Sequence, residues 1–214
     1  MAAAALTLLA GCGGSAATPS TLASRPAAEV LADAATALRG ASSYHVGGML
    51  DPGLAVDLVV TRHGSTGGIT THGVTWEEVA VGGDTWFRGA ALWQATLPAE
   101  QAAALGDDWV LVTDPAAAFG FAGPLHDLPA RIPDVVFGPH PQLKNRGARR
   151  LSGQQVVELS SSRDTYDVLE TGTPYPVRWI EVENVGPDGK PCGITLDRFG
   201  AATTVEAPVS SKRL

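Results

Sequence analysis

The stretch Tyr44-His45-Val46-Gly47-Gly48-Met49-Leu50-Asp51-Pro52-Gly53-Leu54-Ala55-Val56-Asp57-Leu58-Val59-Val60 decides the fold. Tyr44, Val46, Gly48 and Leu50 alternate with His45, Gly47 and Met49, which is the period of a β-strand. Asp51-Pro52-Gly53 reads as a turn, because proline fixes φ and glycine accepts positive φ. The chain then returns over residues 54–62 with Leu54, Val56, Leu58 and Val60 on one face. A hairpin of this kind has one apolar face that something must cover.

Downstream, the period of two continues. His63-Gly64-Ser65-Thr66-Gly67-Gly68 predicts a second turn, 69–75 and 76–81 predict strands, and Gly82-Gly83 predicts another turn. Residues 84–89 predict a further strand, which Leu92-Trp93-Gln94 extends. Gly47, Gly48, Gly73, Gly82 and Gly83 lie in or beside these strands, where glycine either permits a bend or marks a hairpin end. Upstream, Pro26, Glu29 and Gly40 fit the start and stop of a helix that places Val30, Leu31, Ala34 and Leu38 on one face.

Past the meander the pattern weakens. Residues 98–105 read as a short helix closed by Gly106, and 109–112 as a strand. Between Asp114 and Gly147 neither period holds, which predicts short helices and loops that pack Phe119, Phe121, Leu125, Leu128, Ile132 and Val136. Strands return at 154–160, 165–171, 177–183 and 193–199, with Asp188-Gly189 as a hairpin turn. Residues 203–207 predict a last edge strand, and 210–214 a loose tail.

Composition excludes several functions. The formal net charge is −7, which opposes binding to nucleic acid and electrostatic docking on anionic lipid. No apolar run after the first residues is long enough to span a bilayer.

At the N-terminus, Leu9-Ala10-Gly11-Cys12 follows an apolar run and resembles the lipobox of bacterial lipoproteins. The resemblance implies a signal peptide over 1–11, truncated and without the usual basic opening. It also implies cleavage before Cys12 and acylation of its thiol, with chains of the palmitate kind. The small residues that follow Cys12 read as a flexible tether to about residue 24. If Cys12 is acylated, Cys192 has no partner; the alternative is a Cys12–Cys192 disulfide.

Further segments carry a wider likeness. The helix runs into Ala41-Ser42-Ser43-Tyr44-His45-Val46. Val81-Gly82-Gly83-Asp84-Thr85-Trp86-Phe87 is followed by Trp93. Gly172-Thr173-Pro174-Tyr175-Pro176-Val177-Arg178-Trp179 comes late in the sheet, and Leu196-Asp197-Arg198-Phe199-Gly200 leads to Val205-Glu206-Ala207-Pro208. Their order resembles the actinobacterial lipid-binding lipoproteins of the LppX/LprG type, with the LolA/LolB-like fold. The resemblance implies an α+β domain over 25–209, in which a strongly curved antiparallel sheet, a half-barrel, wraps a few short helices. It further implies an extracytoplasmic lipoprotein, anchored in the cell membrane through Cys12, that binds or transports a lipid or other hydrophobic ligand. A filled-core version that binds a membrane or cell-envelope protein is the alternative.

Val46, Leu58, Val60, Trp86, Trp93 and Trp109 are the expected lining of such a cavity, against a reading of the tryptophans as core. No catalytic motif stands out, so no enzyme, cofactor or metal is expected. His63 and His72 flank a predicted turn without an acidic or cysteine partner, too few ligands for a metal. Glu77 and Glu78 point to opposite sides of a strand and read as surface charges. Lys144, Arg146, Arg149 and Arg150 read as a solvated basic loop.

Overall fold

The computed structural model describes residues 21–115, 125, 127–140 and 142–214. Cys12, the tether up to residue 20, Phe119 and Phe121 lie outside the described residues. After a 3-10 turn at Leu22–Ser24 comes helix α1 (Ala27–Gly40), then the meander β1 (Ser43–Asp51), β2 (Leu54–Thr61), β3 (Gly64–Thr71), β4 (Val74–Val81) and β5 (Asp84–Arg88). Helices α2 (Ala90–Thr96) and α3 (Ala99–Leu105) lead to β6 (Val110–Val112), and α4 (Leu128–Val135) precedes β7 (Lys144–Leu151). The sheet continues through β8 (Gln154–Ser160), β9 (Asp164–Leu169), β10 (Pro176–Val185) and β11 (Pro191–Asp197), and ends with β12 (Lys212–Arg213).

All the strands join one sheet in the order β12-β6-β5-β4-β3-β2-β1-β11-β10-β9-β8-β7. It is strongly curved and does not close. Among the described residues the β12–β6 pairing is parallel and the other pairings are antiparallel. The concave face is the core. Tyr44 pairs with Val60 and Val46 with Leu58, Ile69 with Trp76, and Trp179 with Ile194. Into this face α1 turns Val30, Leu31, Ala34 and Leu38, all at most 2% exposed, and it packs on α4, β9 and β10. Each such Val or Leu contributes roughly 1.5–3 kcal/mol by leaving water.

Several expectations change. Residues 64–68 are not a turn but the first part of β3, and the turns sit at Arg62-His63 and His72-Gly73. Glycine is required in β3 by close approach: at Gly67 (φ 144°) a Cβ would fall on the carbonyl oxygen of Asp57 in the neighbouring strand. Gly48 (φ 137°) stands in the same relation to Gly193 O, whereas Gly73, Gly82 and Gly83 serve the turns. Leu92-Trp93-Gln94 does not extend the sheet. It belongs to α2, because Leu92 and Trp93 are adjacent and both fully buried, which an alternating strand with one solvated face does not allow.

The basic run at 144–150 is not a loop but edge strand β7. There Arg149 Nη2 donates to both carboxylate oxygens of Asp167 at 2.7 and 2.8 Å. Arg178 Nε donates to Asp167 Oδ2 at 2.7 Å, so two guanidinium groups cover a carboxylate that is 0% exposed. No strand forms at 203–207. The tail differs from the loose end expected at 210–214: Lys212 N donates to Trp109 O at 2.8 Å and Leu214 N to Leu111 O at 3.1 Å. At the other end, Asn145 Nδ2 donates to Leu22 O and Arg25 O at 3.0 and 2.8 Å, which ties the start of the described chain to β7.

Gly67→Ala places a side chain where the β2 backbone already lies, at a φ that L-residues disfavour. It is expected to destabilise the fold by about 2–3 kcal/mol, read as a lowered urea midpoint. The same substitution at Gly73, in a turn where a Cβ meets nothing within 4 Å, should cost less.

Candidate functional site

An apolar hollow runs along the outer flank of α1, where the chain passes after α4. On one side α1 offers Leu31, Ala32 and Ala35; on the other stand Phe137, Pro139 and His140, around a volume of about 350 Å³. This is at the lower end of the range for small-molecule pockets. The small side chains of α1 create the space, since the helix turns its larger ones, Val30 and Leu38, into the core.

Phe137 is 1% exposed and meets Tyr166 edge to face, with centroids 5.9 Å apart. Tyr166 Oη lies 2.8 Å from His140 Nε2, and His140 Nδ1 lies 3.8 Å from Asp164 Oδ2. Burial pushes the Tyr166 phenol well above its usual range, so it stays protonated. At the C-terminal end of α1, Arg39 also borders the groove and is held by Asp134 Oδ1, 2.7 Å from Nη2.

The six residues expected to line a cavity are divided. Val46, Leu58 and Trp93 are 0% exposed and Val60 8%, all within the main core. Trp86 and Trp109 join Val79 and Leu111 in a second cluster on the opposite face, because Trp86 alternates with the inward Phe87. The Arg88 guanidinium sits 4.9 Å over the Trp109 ring. None of the six borders the α1 groove; Val60 borders two smaller hollows beside α4. The groove residues carry a faint sequence signal, since alanines on a helix flank read as ordinary helix formers.

Three charged or polar groups also depart from the expectation. Glu77 pairs with Arg88 at the surface, but Glu78 is 1% exposed on the concave face. Neither Glu78 oxygen has a hydrogen-bond partner. Burial, with a smaller contribution from the charge of Asp127, pushes its carboxyl up to about 8. His63 and His72 do not approach across a turn; they lie beyond opposite ends of β3, up to about 30 Å apart by the strand rise. His45, on the convex face, is gripped between Asp197 Oδ1 (2.8 Å from Nδ1) and Asp57 Oδ1 (2.7 Å from Nε2). Among the described residues no group of three His, Cys, Asp or Glu is placed to hold a metal ion.

The folded Glu78 pKa lies above the ordinary value of 4.5, so the folded protein keeps a proton that the unfolded chain releases. The stability this provides is complete below pH 4.5 and is lost as pH rises through about 8. Relative to Glu78→Gln, the wild type should lose about 3–5 kcal/mol between pH 4.5 and 8.5. Urea denaturation of both proteins across that range checks it; parallel pH profiles would refute it.

Solved structures resemble this one to different degrees. LprF from Mycobacterium bovis superposes with a TM-score of 0.57 at 18% identity, over 86% of this chain and 97% of that one. The Mycobacterium tuberculosis lipoprotein LppX gives 0.48 at 15% identity, over 83% and 98%. MucB in its complex with MucA from Pseudomonas aeruginosa gives 0.40 at 18%, over 85% and 61%. The sequence matches no protein-family profile and no curated protein.

Proposed function

We propose that this chain is an extracytoplasmic lipoprotein, held to the membrane through Cys12, that binds an apolar ligand in the groove between α1 and residues 137–140. The fold it shares with LprF and the sequence around Cys12 support the setting. The observation that carries the binding reading is the groove, an apolar space of about 350 Å³ bounded by alanines and Phe137. Binding would work by burial: each methylene that enters gains about 0.8 kcal/mol. Affinity would therefore grow with chain length until the groove is filled.

The anchor supplies the membrane contact in this reading. Among the described residues no helix is long and apolar enough to cross a membrane. The segment from Cys12 to Thr21 reaches at most about 30 Å, so the domain would stay near the bilayer surface. A second reading, a module that binds an envelope protein, draws on the concave face, where Val46, Leu58 and Trp93 are completely enclosed by other side chains.

Two experiments test the proposal. N-phenyl-1-naphthylamine should bind the purified protein with a rise in fluorescence. Ala32→Trp, at an exposed groove position, should weaken that binding at least about 10-fold, or 1.4 kcal/mol, with an unchanged melting temperature. If the wild type binds no probe and an organic extract of it contains no lipid, the carrier reading falls and the interaction module stands. For the anchor, Cys12→Ala should release the protein from membranes into the soluble fraction; unchanged membrane retention and mass would refute acylation.

A further inference from the structure

His140 borders more than the apolar groove. That residue also borders a hollow with Gln142, Ser161, Ser162 and Asp164. Gln142, Ser161 and Ser162 in turn border a third hollow of about 640 Å³, completed by Lys144, Arg146 and Ser160. A polar hollow of quite different chemistry thus stands two neighbours from the apolar groove, linked to it through shared lining residues.

The third hollow is rich in donors. No carboxylate lines it, although the chain as a whole carries a net charge of −7. Arg146 Nε donates to Ser160 Oγ at 2.8 Å, which steadies the guanidinium and leaves its terminal nitrogens for another acceptor. Ser160 Oγ accepts that bond, so its own proton is available to donate. Ser161 Oγ accepts from the backbone N–H of Arg163 and Asp164 at 3.1 and 2.9 Å, which likewise turns its hydroxyl into a donor. An ammonium, a guanidinium and hydroxyls with their protons to give form a set that suits a tetrahedral oxyanion.

Position favours one source for that anion. Asn145, between Lys144 and Arg146, holds Leu22 and Arg25. Lys144 and Arg146 face the other side of β7 from Asn145, so the hollow lies across that edge strand from the point where the chain coming from Cys12 enters the domain, still at the end that an anchored protein keeps near lipid headgroups. We infer that the hollow lined by Lys144, Arg146, Ser160, Ser161 and Ser162 is a subsite for the phosphate of an anionic amphiphile whose chain occupies the α1 groove. The subsite rests on the groove reading above for the chain, and on its own residues for the phosphate. Lys144 and Arg146 supply charge, and the serines fix orientation.

The test compares three probes on the full-length protein by calorimetry: dodecyl phosphate, 1-dodecanol and inorganic phosphate. Dodecyl phosphate should bind at least 10-fold more tightly than dodecanol, with an advantage that shrinks as salt rises. The double variant Lys144→Ala/Arg146→Ala, at two exposed positions, should erase that advantage and leave dodecanol binding and the melting temperature unchanged. Equal binding of dodecyl phosphate by wild type and double variant would overturn the subsite, while retained dodecanol binding would show the groove intact. Loss of dodecanol binding in the wild type would instead strike the groove reading. Inorganic phosphate bound as tightly as dodecyl phosphate would overturn the lipid headgroup and assign the hollow to a free anion.

Discussion

The constraint on which this structure rests is a curved sheet that does not close, and whose concave face must therefore be shielded by something other than itself. A closed barrel hides its interior by symmetry. Here the task falls to α1, α4 and the side chains of the strands. Because α1 lies along the open side, its inward face must be bulky and its flank can be small. The core and the groove are two faces of one helix, and changes to α1 would act on both. The same geometry explains why the enclosed residues of β1 and β2 have no open space beside them: the helices press down onto the sheet centre and leave room at its margin.

The sequence was most legible where alternation meets a strong turn. The β1–β2 hairpin, β8, the Asp188-Gly189 turn and α1 all follow from periodicity and backbone chemistry. It was least legible where another requirement overrode the pattern. In β3, glycines that look like turn residues are there because a neighbouring backbone carbonyl occupies the place of a side chain. In β7, charged residues fill both faces of an edge strand, so no apolar alternation remains to be read. The lining of the groove was hidden for a different reason. Alanines 28, 32 and 35 acquire meaning only when Phe137 and His140 arrive from a hundred residues away.

Buried charge is managed in two contrasting ways. Asp167 is enclosed by opposite charge: Arg149 from β7, across β8, and Arg178 from the neighbouring β10 converge on it, and Arg149 Nε also lies 2.7 Å from Glu158. Such a carboxylate is costly to strip of its partners, since an unpaired charge would then remain in the interior. Glu78 has no such partners and resolves the same difficulty by holding a proton. A reading based on average exposure assigns both residues, and Arg149, to the surface. Only the cross-strand register, which sets Asp167 opposite both Glu158 and Arg178, distinguishes a network from scattered charges.

The two margins of the sheet share a property that bears on how copies of this protein meet. One margin is β7, with Lys144, Arg146, Arg149 and Arg150; the other ends in β12, which consists of Lys212 and Arg213. An open sheet presents unpaired backbone groups at its edges, and another molecule can add strands there. Arg149 and Lys212 are paired with carboxylates, but Lys144, Arg146, Arg150 and Arg213 still put positive charge along both margins, which disfavours such addition. Where copies of the chain are concentrated, this charge pattern is a guard against polymerisation through the sheet.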